Sequence, residues 1–254
     1  MPAASALRVE RLGCIPYAEA LALQERAVAE RRSGATPDRL LLLEHPRVVT
    51  LGRSFRRESL LASPEELARR GIEVFEVARG GDATYHAPGQ LVGYPIVDLA
   101  ARGERDVHAY LRRLEAALCR ALLRLGVGPR TLPGRTGVFV EDPAPSAPAR
   151  KIASIGVGLR GWVTTHGFAL NVTLDPAEFG VIVPCGLHDV AMTSVARELG
   201  HAVADLPERA AREVEAAFLA EFAGVDYSAA PCPDGSSRFA ARNAWAGSSG
   251  STSR

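Results

Sequence analysis

The sequence predicts a single mixed α+β domain. Short apolar runs typical of strands and longer segments with helical periodicity interleave along the chain without a strict βαβ rhythm. The length of 254 residues and the hydrophobic fraction of 47% are enough for one large core. We expect this domain to cover residues 7–228.

Strands and helices alternate in the first part of the chain. Apolar residues recur at helical spacing from Tyr17 to Arg32, which predicts a helix that ends before Gly34. Ser63, Pro64 and Glu66 form a capping box that predicts a second, short helix. Continuous or alternating apolar runs predict strands at residues 7–12, 40–43, 48–51 and 72–78.

The twelve residues from Arg79 to Gln90 break this pattern. They contain three glycines, a proline and several hydrogen-bonding side chains, a composition that packs poorly and suits a ligand-binding loop. An ordinary hairpin loop is the alternative. A strand is predicted to resume at residues 91–99.

The second part of the chain is predicted to contain a long amphipathic helix, a hairpin and two further helices. The long helix covers residues 106–125 and ends before Gly126. The hairpin joins strands 152–159 and 162–172 at Arg160 and Gly161, after a strand at 137–140 and an exposed loop at 142–150. The last helices end at Gly200 and Phe222. Residues 229–254 lack periodicity, so we expect a disordered tail.

Lys151 is unusual in this composition. Of 30 cationic side chains, 29 are arginine and Lys151 is the single lysine. Lysine, unlike arginine, can lose its proton near neutral pH in suitable surroundings. Cys185 follows in the turn-like run Val183, Pro184, Cys185, Gly186, and a thiol beside a cation becomes a nucleophilic thiolate. These two residues are therefore candidates for a catalytic pair; a chance lysine on a solvated loop and an inert core cysteine are the alternatives.

A glycine-rich strand between these two residues predicts a slot. Gly156, Gly158 and Gly161 spell G-x-G-x-x-G, but strand-forming residues follow where the dinucleotide motif requires a helix. Gly156 and Gly158 would instead remove side chains from one strand face, and Gly167 and Ala169 from the facing strand. The result would be a slot for a slender apolar chain.

Composition and spacing argue against several function classes. A formal net charge of +1 gives no basic surface for nucleic acid or for a membrane, and no apolar run approaches the roughly 18 residues that span a bilayer. The six histidines lack metal-site spacing, so we expect no metal and no cofactor. A Cys-His hydrolase built from Cys185 and His86, His166 or His188 lacks an evident third residue to orient the histidine.

The four cysteines show no C-x-x-C pairing, and no signal peptide is evident. We therefore expect a cytoplasmic protein without a disulfide framework.

Four blocks of the sequence resemble a known family. The run from Arg79 to Ile96 closely resembles the signature R-G-G-x-x-T-x-H-G-P-G-Q-L-V-x-Y-P-I of lipoate-protein ligase B, the octanoyl-[acyl-carrier-protein]:protein N-octanoyltransferases. The other blocks are K-I-A-S-I-G from Lys151, H-G-F-A-L-N from His166 and I-V-P-C-G from Ile182. The resemblance extends from about residue 40 to residue 200.

This resemblance implies a mixed sheet flanked by helices, as in the catalytic domains of biotin and lipoate ligases. It implies transfer of an octanoyl group from octanoyl-acyl carrier protein to a lysine of lipoyl domains, in 2-oxoacid dehydrogenase complexes and the glycine cleavage H protein. Cys185 would hold the acyl group as a thioester, and Lys151 would lower the pKa of the thiol and handle the proton. By the same resemblance the substrate site would be lined by Arg79, Gly80, Gly81, Asp82, Ala83, Thr84, Tyr85, His86, Ser154, Ile155, Gly156, Gly167, Phe168 and Ala169.

Two features need a structural explanation. Ala87 stands where the family usually has glycine and would be strained if that position required a positive φ. Strict strand alternation places Lys151 on the face opposite Gly156, so a bulge or turn at the start of the strand is needed. An ATP-dependent carrier-protein ligase, which needs no cysteine, and a non-catalytic fatty-acyl-binding module stay open as alternatives.

Overall fold

The computed structural model describes residues 7–140, 149–183 and 190–222. Within these ranges the chain forms one mixed eight-stranded sheet, a smaller three-stranded sheet and five α-helices, which confirms the predicted mixed α+β fold. The helices are α1 (Tyr17–Arg32), α2 (Pro64–Arg69), α3 (Val107–Leu125), α4 (Val195–Leu199) and α5 (Leu206–Phe222). The strands are β1 (Arg8–Cys14), β2 (Arg39–Glu44), β3 (Val48–Leu51), β4 (Glu73–Glu76), β5 (Ala83–His86), β6 (Gln90–Ile96), β7 (Pro129–Leu132), β8 (Arg135–Val140), β9 (Ala149–Arg160), β10 (Val163–Asn171) and β11 (Val190–Met192).

The main sheet has the order β1-β2-β6-β10-β9-β8-β7, and β11 also pairs with β9. The pairs β1/β2 and β9/β11 are parallel and the other pairs are antiparallel. The small sheet has the order β4-β3-β5. β6, β10 and β9 are thus adjacent at the centre of the main sheet.

Helices cover both faces of the main sheet. α3 and α5 pack on one face around the largest apolar cluster, where Phe168 of β10 stacks on Phe218 of α5 with ring centroids 4.9 Å apart. α1 packs on the other face through Ala20, Ala27 and Val28. The small sheet has its own apolar cluster, which includes Tyr85.

The helix boundaries follow the signals in the sequence. The Ser63 hydroxyl accepts the backbone N–H of Glu66 at 3.2 Å and caps α2, as the capping box predicts. Asp106 accepts two backbone N–H groups at the start of α3, and Gly126 ends that helix with φ +88°.

Three short strands were not predicted. Residues 83–86 form β5 inside the segment expected to be a loop, because they pair antiparallel with β3. β7 and β11 are also absent from the prediction, and residues 149 and 150 belong to β9 rather than to an exposed loop. Strands of three or four residues are too short to show a period of two in sequence.

The hairpin between β9 and β10 is confirmed, with the turn displaced by one residue. Arg160 pairs with Val163, so the turn consists of Gly161 and Trp162, both with positive φ.

Cys119 is buried in α3, as expected. It is also disulfide-bonded, although the cysteine spacing indicated no disulfide framework. Residues 141–148, Cys185 and the predicted tail at 229–254 lie outside the described ranges. No helix within those ranges is long and apolar enough to cross a membrane.

Candidate active site

A cavity lies between the centre of the main sheet, α1 and the segment that links β4 to β5. It encloses about 460 Å³ of space, part of it open to solvent. Twelve of the fourteen residues predicted to contact substrate line it: Arg79, Gly80, Gly81, Asp82, Thr84, His86, Ser154, Ile155, Gly156, Gly167, Phe168 and Ala169. The structure therefore brings together three segments that are distant in sequence.

Ala83 and Tyr85 do not line this cavity. Both are buried in the apolar cluster of the small sheet, where the Tyr85 hydroxyl donates to Glu178 Oε2 at 2.7 Å. Because side chains alternate along β5, Thr84 and His86 face the cavity while Ala83 and Tyr85 face the opposite side.

Arg79 holds in place the segment 79–81, which lies over Gly156 and is called the lid of the cavity. Its buried guanidinium donates to the Thr50 carbonyl oxygen at 2.6 Å, to Thr50 Oγ1 at 2.9 Å and to the Gly80 carbonyl oxygen at 3.0 Å. The Gly80 N–H in turn donates to the Val157 carbonyl oxygen of β9 at 2.8 Å. These bonds hold residues 79–81 against the sheet.

Asp82 organises the adjoining loop. Its carboxylate accepts the Ser59 hydroxyl at 2.5 Å, the Ala83 N–H at 2.7 Å and the Arg56 N–H at 3.2 Å. Because all three donors belong to the protein itself, this carboxylate stabilises the conformation of the loop beside the cavity.

A hydrogen-bond chain sets the tautomer of His86. Gln90 Nε2 donates to the Tyr85 carbonyl oxygen and to Asn171 Oδ1, so Gln90 Oε1 is the atom that accepts from His86 Nδ1, at 2.7 Å. Burial lowers the pKa of His86 to about 3, and the neighbouring His45 and Arg79 act in the same direction. His86 is therefore neutral and presents Nε2 as an acceptor.

Three cavity residues were not among the predicted ones: Tyr17, Tyr94 and His166. The Tyr94 hydroxyl lies 2.7 Å from Nε2 of the buried His45, whose Nδ1 lies 2.8 Å from the Ile15 carbonyl oxygen. The carbonyl can only accept, so His45 Nδ1 donates to it and Tyr94 donates to His45 Nε2. Burial lowers the pKa of His45 to about 4, and burial also raises the pKa of Tyr17 to about 12. This part of the cavity is aromatic and uncharged.

The predicted glycine slot is present in part. Gly156 of β9 pairs with Gly167 of β10, and both line the cavity. A Cβ on Gly156 would lie 3.0 Å from the Gly80 carbonyl oxygen, so the glycine also lets the lid approach the sheet. Gly158 does not line the cavity, because the Ala78 carbonyl oxygen and the Thr165 hydroxyl cover it.

Lys151 is buried at the start of β9, with an exposed fraction of 2%. Its Nζ donates to the Thr136 carbonyl oxygen at 3.1 Å and lies 5.5 Å from the centroid of the Phe139 ring. A Cβ on Gly137 would lie 2.7 Å from Lys151 Cε, so only glycine leaves room for this side chain. The ammonium group is therefore held in a dry, tightly packed position.

A β-bulge places Lys151 on the cavity side of the sheet. Phe139 pairs with Lys151 and Val138 pairs with Ala153, so β9 contains one extra residue at this point. Val138 and Ala153 belong to the cluster under α3 and α5, and alternation puts Phe139 and Lys151 on the other face. The bulge that the candidate pair required is thus confirmed.

Glu115 supports this corner from α3. Its buried carboxylate accepts the Gly137 N–H at 3.0 Å. Burial raises the pKa of Glu115, while that hydrogen bond and the charges of Arg112 and Lys151 oppose the rise.

Cys185 lies outside the described residues, but both neighbouring segments are tied to the site. The Val183 N–H donates to the Ser59 carbonyl oxygen at 2.8 Å. On the other side Met192 of β11 pairs with Lys151 itself.

Two further expectations concern strain and metals. Ala87 is buried and does not adopt a positive φ, so alanine fits without strain. Across the described parts of the chain, no group of three or more histidine, cysteine, aspartate or glutamate side chains is arranged to hold a metal ion.

Known proteins are similar to this chain over most of its length. Residues 16–223 match the family model described as lipoyl protein ligase A/B catalytic domain. A protein of Myxococcus xanthus named octanoyltransferase is 49% identical over 198 residues, which is 78% of this chain and 55% of that protein, so this chain spans about half of its length. An octanoyltransferase of Solibacter usitatus is 47% identical over 210 residues, 83% of this chain and 92% of that protein.

A solved structure shows the same fold. The bipartite lipoate protein ligase of Thermoplasma acidophilum, described with its E2 lipoyl domain, superposes with a TM-score of 0.64. It is 18% identical and the match covers 86% of this chain and 84% of that one. The expected lipoate ligase fold is thereby confirmed.

Proposed function

The chain belongs to the lipoyl protein ligase A/B catalytic-domain family, and we propose that it is an octanoyltransferase that acts in protein lipoylation. Its substrates would be an octanoyl thioester of an acyl carrier protein and the lysine of a lipoyl domain. Such acceptors occur in 2-oxoacid dehydrogenase complexes and in the glycine cleavage H protein. Relatives named octanoyltransferase at close to 50% identity support the acyl transfer.

One structural observation carries the proposed mechanism. The bulge in β9 puts the buried Lys151 on the sheet face that forms the cavity, next to β11, which follows the Cys185 segment in the chain. A buried amine on the sheet face that forms the cavity is suited to stabilise a thiolate and to move a proton.

In the first step, the Cys185 thiolate attacks the thioester carbonyl of the donor. The C–S bond to the carrier breaks, and the carrier thiolate takes a proton from the Lys151 ammonium. The products are an octanoyl thioester on Cys185, a neutral Lys151 and a carrier thiol.

In the second step, neutral Lys151 takes one proton from the ammonium group of the acceptor lysine. The acceptor amine attacks the Cys185 thioester, the C–S bond breaks, and the remaining excess proton on nitrogen passes to solvent. The amide forms and the Cys185 thiolate is restored beside the Lys151 ammonium. Arginine would stabilise the thiolate but would not accept this proton.

The cavity suits the acyl chain. Gly156, Gly167 and Ala169 leave backbone exposed along two adjacent strands, and the neutral rings of Tyr17, Tyr94 and His86 complete the wall. Burying the seven alkyl carbons of an octanoyl group at about 0.8 kcal/mol each stabilises the complex by up to about 5 to 6 kcal/mol.

The donor protein would dock beside the lid. Arg56 and Arg57 are exposed, and the Arg56 backbone is bonded to Asp82 at the cavity mouth. Acyl carrier proteins are acidic, so charge complementarity favours this surface. Crosslinking the complex and finding both arginines unlabelled would contradict this placement.

Intact mass spectrometry tests the mechanism. After incubation with octanoyl-acyl carrier protein, the chain should gain one octanoyl group that maps to Cys185 and is removed by hydroxylamine. The Cys185→Ser variant should lose transfer to the lipoyl domain. An ATP-dependent ligase would keep its activity in that variant, and a fatty-acyl-binding module would show no adduct and no transfer in the wild-type protein.

A further inference from the structure

One peptide unit joins the side chains of Lys151 and Glu115. The Thr136 carbonyl oxygen accepts from Lys151 Nζ at 3.1 Å, and the N–H of the same peptide, that of Gly137, donates to Glu115 Oε1 at 3.0 Å. In a trans peptide these two groups point in opposite directions. The lysine and the glutamate therefore lie on opposite sides of the Thr136–Gly137 peptide.

The two side chains also come from opposite faces of the main sheet. Lys151 lies on the cavity face, whereas Glu115 belongs to α3, where Leu114 and Leu118 are part of the large apolar cluster. The exposed fraction of Glu115 is 1%. A carboxylate is costly in such a place, and a neutral amide could also accept the Gly137 N–H. Stabilising the backbone alone therefore does not account for a charged group here.

Three neighbours favour the ionised form of Glu115. Burial raises the pKa of this carboxyl, while the Gly137 N–H and the charges of Arg112 and Lys151 act in the opposite direction. Arg112 Nη1 lies 3.1 Å from Glu115 Oε2 but lacks hydrogen-bond geometry, and the Arg112 side chain is exposed. Water screens a cation in that position, so Arg112 offsets the negative charge only in part.

The interaction between Glu115 and Lys151 acts in both directions. Because the lysine cation favours the carboxylate, the carboxylate favours the proton on the lysine by the same free energy. Hydrogen bonds in series also polarise one another, so a negative charge that accepts the Gly137 N–H makes the Thr136 carbonyl oxygen a stronger acceptor for the ammonium. Glu115 can therefore act on Lys151 without touching it.

We propose that Glu115 is a positioning residue for the reaction: through the Thr136–Gly137 peptide it orients the Lys151 amine and stabilises its ammonium form. This inference rests on the proposed octanoyl transfer, in which the ammonium stabilises the Cys185 thiolate and then protonates the carrier thiolate. Because Glu115 acts from the other face of the sheet, its carboxylate does not compete with the thiolate for direct contact with the ammonium.

The charged side chains on the adjoining strands stay the same in every variant compared below. Arg150 precedes Lys151 on β9 and is paired with Glu198 of α4 at 2.9 Å, and Arg135 lies at the start of β8. The ring of Phe139, which is near the ammonium, carries no charge. A difference between the variants therefore does not come from these groups.

The single lysine of the chain allows a direct test by NMR. Protein labelled with carbon-13 at lysine Cε gives one lysine signal, that of Lys151, and its shift follows the loss of the ammonium proton. Glu115→Gln keeps an acceptor for the Gly137 N–H and removes the charge, so the signal should titrate at lower pH. The ratio of ammonium to amine at a given pH should fall by about fivefold or more.

Two further variants complete the NMR test. Arg112→Met removes a cation beside the carboxylate at an exposed position, so it should fold and move the titration to higher pH. Glu44→Gln replaces another carboxylate that accepts a glycine N–H, that of Gly89 at 3.0 Å, and should leave the titration unchanged. An unchanged titration in Glu115→Gln, or an equal shift in Glu44→Gln, would overturn the inference. If Glu115→Gln does not fold, an unchanged titration in Arg112→Met would overturn it.

Single-turnover kinetics separate this role from a structural one. Acylation of Cys185 by octanoyl-acyl carrier protein should be about fivefold or more slower in Glu115→Gln. The affinity for the donor should be unchanged, because Glu115 does not line the cavity. A wild-type acylation rate in a variant with a shifted lysine titration would contradict the role in the reaction. If the wild-type protein itself transfers no octanoyl group, the proposed function fails, and the lysine titration still decides whether Glu115 stabilises the ammonium.

Discussion

Lys151 Nζ lies 3.1 Å from the Thr136 carbonyl oxygen, in a position that the chain creates with a bulge on one strand and a glycine on the next. The carbonyl oxygen satisfies one of the three N–H groups of the ammonium and orients it. The buried side chain is thus fixed in place before any substrate binds.

Replacing Lys151 with arginine should separate charge from proton transfer. In the proposed mechanism Lys151→Arg would keep a cation beside Cys185, so alkylation of the thiol by iodoacetamide should continue. Turnover should fall by about 10²-fold or more, since arginine does not act as a general base. Lys151→Met, which has similar length and no charge, should lose both properties. Wild-type turnover in Lys151→Arg would refute the role in proton transfer.

Gly137 should be essential for the position of Lys151. Its φ is +125°, and an added Cβ would lie 2.7 Å from both the Ala153 carbonyl oxygen and Lys151 Cε. Gly137→Ala should lower the free energy of unfolding by about 1 to 3 kcal/mol and sharply reduce turnover. Urea denaturation and a transfer assay measure the two effects.

Gly134→Ala is the matched control for that substitution. Gly134 has φ +74°, so alanine is strained there too, but nothing lies within 4 Å of the added Cβ. This variant should lose stability and keep turnover. Equal turnover in the two variants would show that Gly137 is needed only for its positive φ and not for the position of the Lys151 side chain.

The fold was largely predictable because its main elements carry strong local signals. The periodicity of α1, α3 and α5 and the caps at Ser63, Asp106 and Gly126 depend on neighbouring residues alone. β5, β7 and β11 escaped prediction because three or four residues do not define a period, and their pairing partners lie elsewhere in the chain.

The residues that line the cavity were predictable in the glycine-rich segments. They were not predictable where the packing of distant elements determines which side chains reach the cavity. The place of Tyr17 in the cavity depends on how α1 docks, and that of His166 depends on a left-handed φ that no local residue pattern announces. The family resemblance assigned Tyr85 to the substrate site together with its neighbours from Arg79 to His86. Side chains alternate along a strand, so Thr84 and His86 face the cavity and Tyr85 faces the apolar cluster of the small sheet. This alternation was the signal in the sequence that distinguishes the two faces of β5.

Tyr85 should therefore contribute to stability and not to substrate binding. Its hydroxyl donates to Glu178 Oε2 at 2.7 Å, and its ring lies edge-on to Phe179 with centroids 5.7 Å apart. Tyr85→Phe should lower the free energy of unfolding by about 0.5 to 1.5 kcal/mol and leave kcat/KM unchanged. Thr84→Val, one residue earlier and facing the cavity, should alter kcat/KM. An effect of Tyr85→Phe on KM would return this residue to the substrate site.

Stability should fall in mild acid because of the buried histidines. Burial lowers the pKa of His45 from its usual 6.5 to about 4, so between these values the unfolded chain binds a proton that the folded chain does not. The free energy of unfolding should thus decrease as pH falls through this window, by up to about 1.4 kcal/mol per pH unit for one histidine. His86 and His166 act in the same direction.

Urea denaturation between pH 8 and pH 4 measures this dependence. The free energy of unfolding of His45→Gln should change less steeply with pH than that of the wild type, whatever its value at pH 8. His108→Gln, at an exposed position on α3, should keep the wild-type slope. Equal slopes for His45→Gln and wild type would mean that His45 is protonated in the folded chain, and its ring could then no longer accept the Tyr94 hydroxyl.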